Sequence, residues 1–164
     1  SRHLLMPSVY RIASTSPAYA YDDLTGKGAE LSGCRWNRKG VPVVYTASSI
    51  ALAALETTVH TDTGAWPLNR YVLEIAIPDD LWAAAESPSV MGTLPAVWDA
   101  QPAPKETLNF GDNWLTSHRA VLLKVPSVVV PLETNVLINP RHPDAGKVRI
   151  INKTRFVYDS RIRP

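Results

Sequence analysis

Residues 33–60 read GCRWNRKGVPVVYTASSIALAALETTVH. Two glycines, Gly33 and Gly40, bracket a polar segment that turns at Lys39-Gly40 and enters a β-branched run, which predicts a strand over 41–46. Ser48 and Ser49 then offer side-chain oxygens to the first free backbone N–H groups of a helix. Ile50, Leu52, Ala53, Leu55 and Val59 continue it as an apolar face to about His60. A turn, a short strand and a capped helix within 28 residues place Arg35, Tyr45 and Glu56 on three successive elements.

The flanking sequence fits one α+β domain over 1–164. Val9–Ala13 reads as a first strand and 14–33 as a turn-rich loop with at most a short helix. Over 69–77, Tyr71, Leu73, Ile75 and Ile77 alternate with Val72, Glu74 and Ala76, the period of a strand. Residues 79–86 suggest a helical turn, and the proline-rich stretch 87–104 a long irregular connection. A helix is expected over 109–118, then β-rich segments at 120–125, 127–132, 135–138 and 148–152, followed by 154–158. Short helices without regular strand–helix alternation favour α+β over a doubly wound sheet.

With 164 residues, 45% hydrophobic and 20% charged, the chain has the composition of a soluble globular protein. The most apolar stretch, 120–138, is interrupted by Lys124, Pro126, Pro131 and Glu133, so no membrane span is expected. No charged, apolar and small-residue succession marks a secretory signal near the start. One cysteine and four scattered histidines provide neither an internal disulfide nor a metal-ligand spacing, which suits a reducing cytoplasm. Seventeen basic and fifteen acidic residues leave a net charge of +2 without a long basic run, so direct DNA binding is not expected. The cluster Arg35, Arg38 and Lys39 has the size of a site for one small phosphate-bearing ligand.

The candidate residues each carry two readings. Arg11, within a strand pattern, is either solvated or aimed into a site. Arg35, at a tight entry to a strand, suits a guanidinium held by an ordinary salt bridge or directed at a phosphate. Tyr45 reads as a core tyrosine whose hydroxyl finds a partner. Glu56 borders the apolar helix face, where a carboxylate is costly unless an arginine neutralises it or a site uses it. Ser127, after Pro126, reads as a serine bonding nearby backbone, and Ser117 has a comparable claim. Gly-x-Ser-x-Gly, Gly-x-Gly-x-x-Gly and P-loop patterns do not occur, which disfavours serine hydrolase, Rossmann and nucleoside-triphosphatase chemistry.

VYRI near residue 10, the segment 33–60, then GDNWL, VPSVVVP, NVLINPRHPD and DSR follow one another in an order that resembles the RES-domain toxins. After the tryptophan the family more often has Asn-Pro-Pro-Gly, where this chain has Asn37-Arg38-Lys39-Gly40. The resemblance implies a fold like that of ADP-ribosyltransferases with a mixed sheet, and the toxin of a type II pair that breaks the nicotinamide–ribose bond of NAD⁺. It implies an Xre-type antitoxin as partner and no bound cofactor, NAD⁺ being the substrate; a homodimer is also among the expectations. Carried over by motif, Arg11 and Arg35 are the arginines of the site, Tyr45 its aromatic, Glu56 its carboxylate and Ser127 the family serine. Transfer of ADP-ribose to a protein, and a non-catalytic module in which Arg35 pairs with Glu56, are the competing expectations.

Overall fold

The structure is a computed structural model in which residues 6–60, 66–88 and 94–162 are described. Its strands are β1 (Ser8–Ala13), β2 (Val44–Ala47), β3 (Arg70–Ala76), β4 (Leu122–Pro126), β5 (Thr134–Ile138) and β6 (Arg149–Phe156), with helices α1 (Lys27–Ser32), α2 (Ile50–His60), α3 (Asp79–Ala83) and α4 (Lys105–Ser117). The strands form one sheet in the order β4-β5-β2-β1-β3-β6, and each of these neighbouring pairs runs antiparallel. The parallel component is an isolated bridge between Glu86 and Leu123. No helix among the described residues is long and apolar enough to cross a membrane.

Alternation along the strands divides the core between two faces. Val9, Leu73, Ile75, Val44, Val136, Ile138 and Leu122 form one apolar layer, closed by Leu81 of α3 and by Tyr21 and Leu24 of the loop after β1. On the other face, Leu123, Val125 and Leu137 pack against Trp114 and Leu115 of α4. Beside them, Ile12, Ala47 and Val72 receive Leu52 and Ala53 of α2.

Several local expectations hold, and four need correction. Ser49 caps α2, its Oγ accepting the Leu52 N–H at 3.1 Å, a contact usually worth about 1 kcal/mol. The apolar face of α2 is displaced: Leu52, Ala53 and Thr58 are buried, while Ile50, Leu55 and Val59 are exposed. Residues 127–132 are not a strand but a tight excursion, because the Ser127 Oγ accepts the N–H groups of Val129 and Val130 at 3.2 and 3.1 Å and so diverts donors that a ladder would need. The C-terminal β segments are one strand, β6, paired with β3 in unbroken register across Lys153, and a register shift at Glu74/Ile75 skips Ile151. Helix α4 begins at Lys105 rather than at Asn109, after Pro104.

Gly111 explains how α4 approaches the turn at 34–37. A Cβ there would lie 1.8 Å from the Trp36 carbonyl oxygen, so only glycine lets the helix backbone close on that peptide. Around this contact Phe110 packs edge-on to Trp36 with centroids 5.7 Å apart. Arg38 reaches across to the Asp112 carboxylate and to Asn109 Oδ1, so of the basic cluster at 35–39 Arg38 ties the turn to α4 rather than standing free for a ligand. In an exposed helix a Gly→Ala change usually stabilises by about 1 kcal/mol. Gly111→Ala is expected to do the reverse, costing about 1–3 kcal/mol through overpacking against the Trp36 peptide, as read by denaturant unfolding.

Candidate functional site

Strand β2 carries Tyr45 and offers its backbone carbonyls to Arg11 and to Asn135. Its pairing with β1 is confined to Tyr10 opposite Ala47, although β1 continues to Ala13 and β2 starts at Val44. Beyond that pair the two strands no longer hold a ladder, and the Arg11 side chain enters the gap. Arg11 Nη1 donates to the Tyr45 carbonyl at 3.0 Å, replacing a ladder bond with a charged one. Its Nε is buried without a hydrogen-bond partner among the described residues. Burial lowers the pKa of this guanidinium, against the favourable charge of Asp23. Arg11 thus leaves its solvated reading behind: with Tyr19, Asp23, Gly26, Lys27 and Gly28 it lines a small recess between the sheet and the loop after β1.

On the next residue of β2 a second side chain takes hold. Asn135, opposite Ala47 on β5, donates from Nδ2 to the Thr46 carbonyl at 3.3 Å and to Glu56 Oε1 at 2.8 Å. The other oxygen, Glu56 Oε2, accepts the Ser127 hydroxyl proton at 3.0 Å. Ser127 is itself buried and pinned by the turn at 127–130. Glu56 follows Leu52 by four residues and Ala53 by three, so it lies on the helix face that packs against the sheet. Among the described residues no arginine neutralises it.

Its surroundings push and pull on its proton. Burial raises the Glu56 carboxyl above the usual carboxylate range, and the hydrogen bonds from Asn135 and Ser127 work in the opposite direction. His60 also favours the charged form and Glu133 opposes it. The result is a half-buried carboxylate with an oriented donor on each oxygen, an arrangement able to face positive charge.

Tyr45 sits in a different bonding pattern. Its hydroxyl donates to Asn37 Oδ1 at 2.7 Å and accepts the Trp36 N–H at 3.1 Å. Asn37, fully buried, spends its own Nδ2 on the carbonyls of Ala29 and Val41 at 2.9 and 2.8 Å. Burial drives the Tyr45 pKa well up, so the phenol stays protonated and the residue can offer a ligand its ring but not an acid or base. Asn37 thereby acquires a definite task in holding the ring.

Arg35 is spent on backbone. Its Nη1 donates to the carbonyls of Trp98 and Ala100 at 2.9 and 2.8 Å, anchoring the described end of the long connection at 94–104. Neither Arg35 nor Arg11 forms a hydrogen bond or ion pair with Glu56 among the described residues, so the pairing that a non-catalytic module would require is not formed. Between the two serines, Ser127 touches Glu56, whereas the Ser117 hydroxyl donates to the Trp114 carbonyl at 2.8 Å. The sequence reading missed Asn135, whose only signal was a polar residue at the start of an otherwise apolar strand, and the supporting role of Asn37.

The sequence profile described as the RES domain matches residues 8–159. Over 155 residues the chain is 50% identical to a protein of Sphingobium sp. (strain YBL2) named Prs ADP-ribosylating toxin, covering 94% of this chain and 96% of that one. It is 35% identical over 156 residues to Toxin Res of Yersinia enterocolitica, covering 94% and 99%. Against Toxin Res of Pseudomonas putida the identity is 39% over 145 residues, covering 87% and 94%. Among solved structures, a chain of the M. tuberculosis MbcT-MbcA toxin-antitoxin complex superposes with a TM-score of 0.64 over 92% of this chain and 84% of that one, at 14% identity, a likeness of fold. With the profile spanning all of the strands and helices that build the site, this chain belongs to the RES-domain family.

Proposed function

We propose that this protein is the toxin of a toxin–antitoxin pair and that it breaks the bond between nicotinamide and ribose in NAD⁺. The observation that carries the reading is the Glu56 carboxylate, half-buried, with no lysine or arginine partner among the described residues and oriented by donors on both oxygens. Departure of nicotinamide moves the C1′–N bonding pair onto the ring nitrogen, which becomes neutral, and leaves an oxocarbenium-like ribosyl cation. A fixed carboxylate beside that sugar stabilises the cation more than it stabilises the substrate, which is what raises the rate. The leaving group is already cationic, so no general acid is needed.

The remaining candidates divide the dinucleotide between them. Arg11, whose guanidinium lines the recess where β1 and β2 part, supplies positive charge toward a pyrophosphate or ribose oxygen. The ring of Tyr45, held by Asn37, supplies a face for the nicotinamide, with a cation–π contribution until the charge leaves. Arg35 fixes the loop at 98–100 that borders the turn carrying Trp36, and in this reading it shapes the rim of the site. Growth arrest would follow from loss of cellular NAD⁺, with an antitoxin of the Xre type as the restraining partner and the cytoplasm as the compartment.

The second reading, transfer of ADP-ribose to a protein, draws on the 50%-identical relative that is named an ADP-ribosylating toxin. It shares nicotinamide departure with the first and differs in what captures the ribosyl cation: water or phosphate in one, a protein side chain in the other. Free ADP-ribose or its 1″-phosphate in the product mixture supports degradation, and a mass increase on a target protein with little free product supports transfer.

Glu56→Gln is expected to melt within a few degrees of the wild type and to lose NAD⁺ consumption by about 10²-fold or more; a folded variant with unchanged turnover removes Glu56 from the reaction. Because the active form is ionised and its pKa is raised, kcat/KM should fall as the pH drops through a value above the ordinary 4.5 of a glutamate. The same shift means that the folded state holds its proton longer than the unfolded chain. This group therefore costs stability at neutral pH, and that cost is relieved as the pH falls through the folded-state pKa. Arg11→Lys, which keeps charge but loses the fork, should weaken NAD⁺ binding by about 10- to 100-fold, read by calorimetry.

A further inference from the structure

Asn135 is joined to two acceptors on different elements. Neither the Thr46 carbonyl nor the Glu56 carboxylate can donate, so the amide must present Nδ2 to both, and the assignment of its nitrogen and oxygen is forced by chemistry. Its backbone is fixed between two neighbours, Ala47 on β2 and Val125 on β4. The amide therefore stands in a rigid place, aimed at the one oxygen of Glu56 that Ser127 does not take.

We propose that Asn135 is a positioning residue for Glu56: by bridging the β2 backbone to Oε1 it sets the direction in which the carboxylate faces and holds it in the charged form needed beside the reacting sugar. This inference rests on the role given to Glu56 in the proposed function. With Ser127 holding Oε2, the two donors define the plane of the carboxylate, so that its remaining lone pairs point away from both. Removing the amide leaves Oε1 without its donor in a half-buried place, where the neutral acid is favoured. The other charged groups that act on Glu56 are His60, on its own helix, and Glu133, in the turn before β5. His60 assists ionisation and Glu133 opposes it, so loss of Asn135 leaves Ser127 and His60 against burial and Glu133.

A purely structural asparagine, one that only tethers the end of β2, would cost stability when replaced but would leave the titration of Glu56 where it was. Two variants separate these roles. Asn135→Leu keeps the approximate volume and removes the donor; Asn135→Ala removes the donor with less bulk and adds no charge. The Glu56 carboxyl is followed by carbon-13 NMR titration of the ligand-free protein, and NAD⁺ turnover is measured across the pH range. In Asn135→Leu the carboxyl titration and the acid limb of kcat/KM should both move up by about one to two pH units. At neutral pH kcat should fall about 10- to 100-fold with KM changed only a few-fold. Asn135→Ala should move both in the same direction, and this variant decides the matter if the leucine variant does not fold.

A folded variant whose Glu56 titration stays at the wild-type position overturns the proposal. The titration needs no substrate, so it judges Asn135 even if the wild-type protein proves not to consume NAD⁺. That second result would overturn the proposed reaction and leave the hold of Asn135 on Glu56 to be decided by the NMR measurement alone.

Discussion

A half-buried carboxylate set against a sheet, with no lysine or arginine partner among the described residues, is the constraint around which this site is arranged. Leaving Glu56 undonated in that setting would cost several kcal/mol or force it to the neutral acid. The fold answers with one hydroxyl and one amide from segments far apart in sequence, Ser127 and Asn135, brought together by the pairing of β4, β5 and β2. The excursion at 127–132 exists to present that hydroxyl, since the same Ser127 oxygen that gives its proton to Glu56 receives the N–H groups of Val129 and Val130. Tertiary structure and site electrostatics are here the same set of bonds.

Strand β2 carries the consequences to the rest of the site. Its successive carbonyls, at Tyr45 and Thr46, are taken by Arg11 on one side and Asn135 on the other. A guanidinium therefore stands where β1 and β2 separate, and an amide stands where β2 meets the glutamate. The Tyr45 ring is fixed from the opposite end through Asn37 and the Trp36 peptide, and that turn is fixed in turn by Gly111 of α4 and by the reach of Arg38 to Asp112. Cation, aromatic face and anion are thus positioned by backbone, with little dependence on contact between one another. This suits a site whose charges are matched to a substrate instead of to each other.

Much of this was legible in the sequence, for identifiable reasons. The alternation of β3 and the serine cap of α2 are local signals, and both elements form as their residues dictate. Glu56 was singled out because a carboxylate beside Leu52 and Ala53 demands an explanation, although the explanation is a pair of neutral donors and not an arginine. What could not be read locally depends on partners distant in the chain. The Val128–Val130 run has strand propensity, yet one serine side chain diverts its donors. The start of α4 is masked by Asn109, Gly111 and Asp112, poor helix formers in isolation, and Gly111 is required there only because Trp36 lies against it. Asn135 and Asn37 gain their meaning from acceptors on other elements, which no periodicity reveals.

The proposed reaction is rupture of the glycosidic bond of a dinucleotide beside Glu56. It is tested most directly by incubating the purified protein with NAD⁺ labelled in its nicotinamide ring and separating the products by mass spectrometry. The expected result is release of labelled free nicotinamide, matched by ADP-ribose in free, phosphorylated or protein-linked form. Recovery of the labelled dinucleotide intact, from a protein that is folded and binds it, would contradict the account.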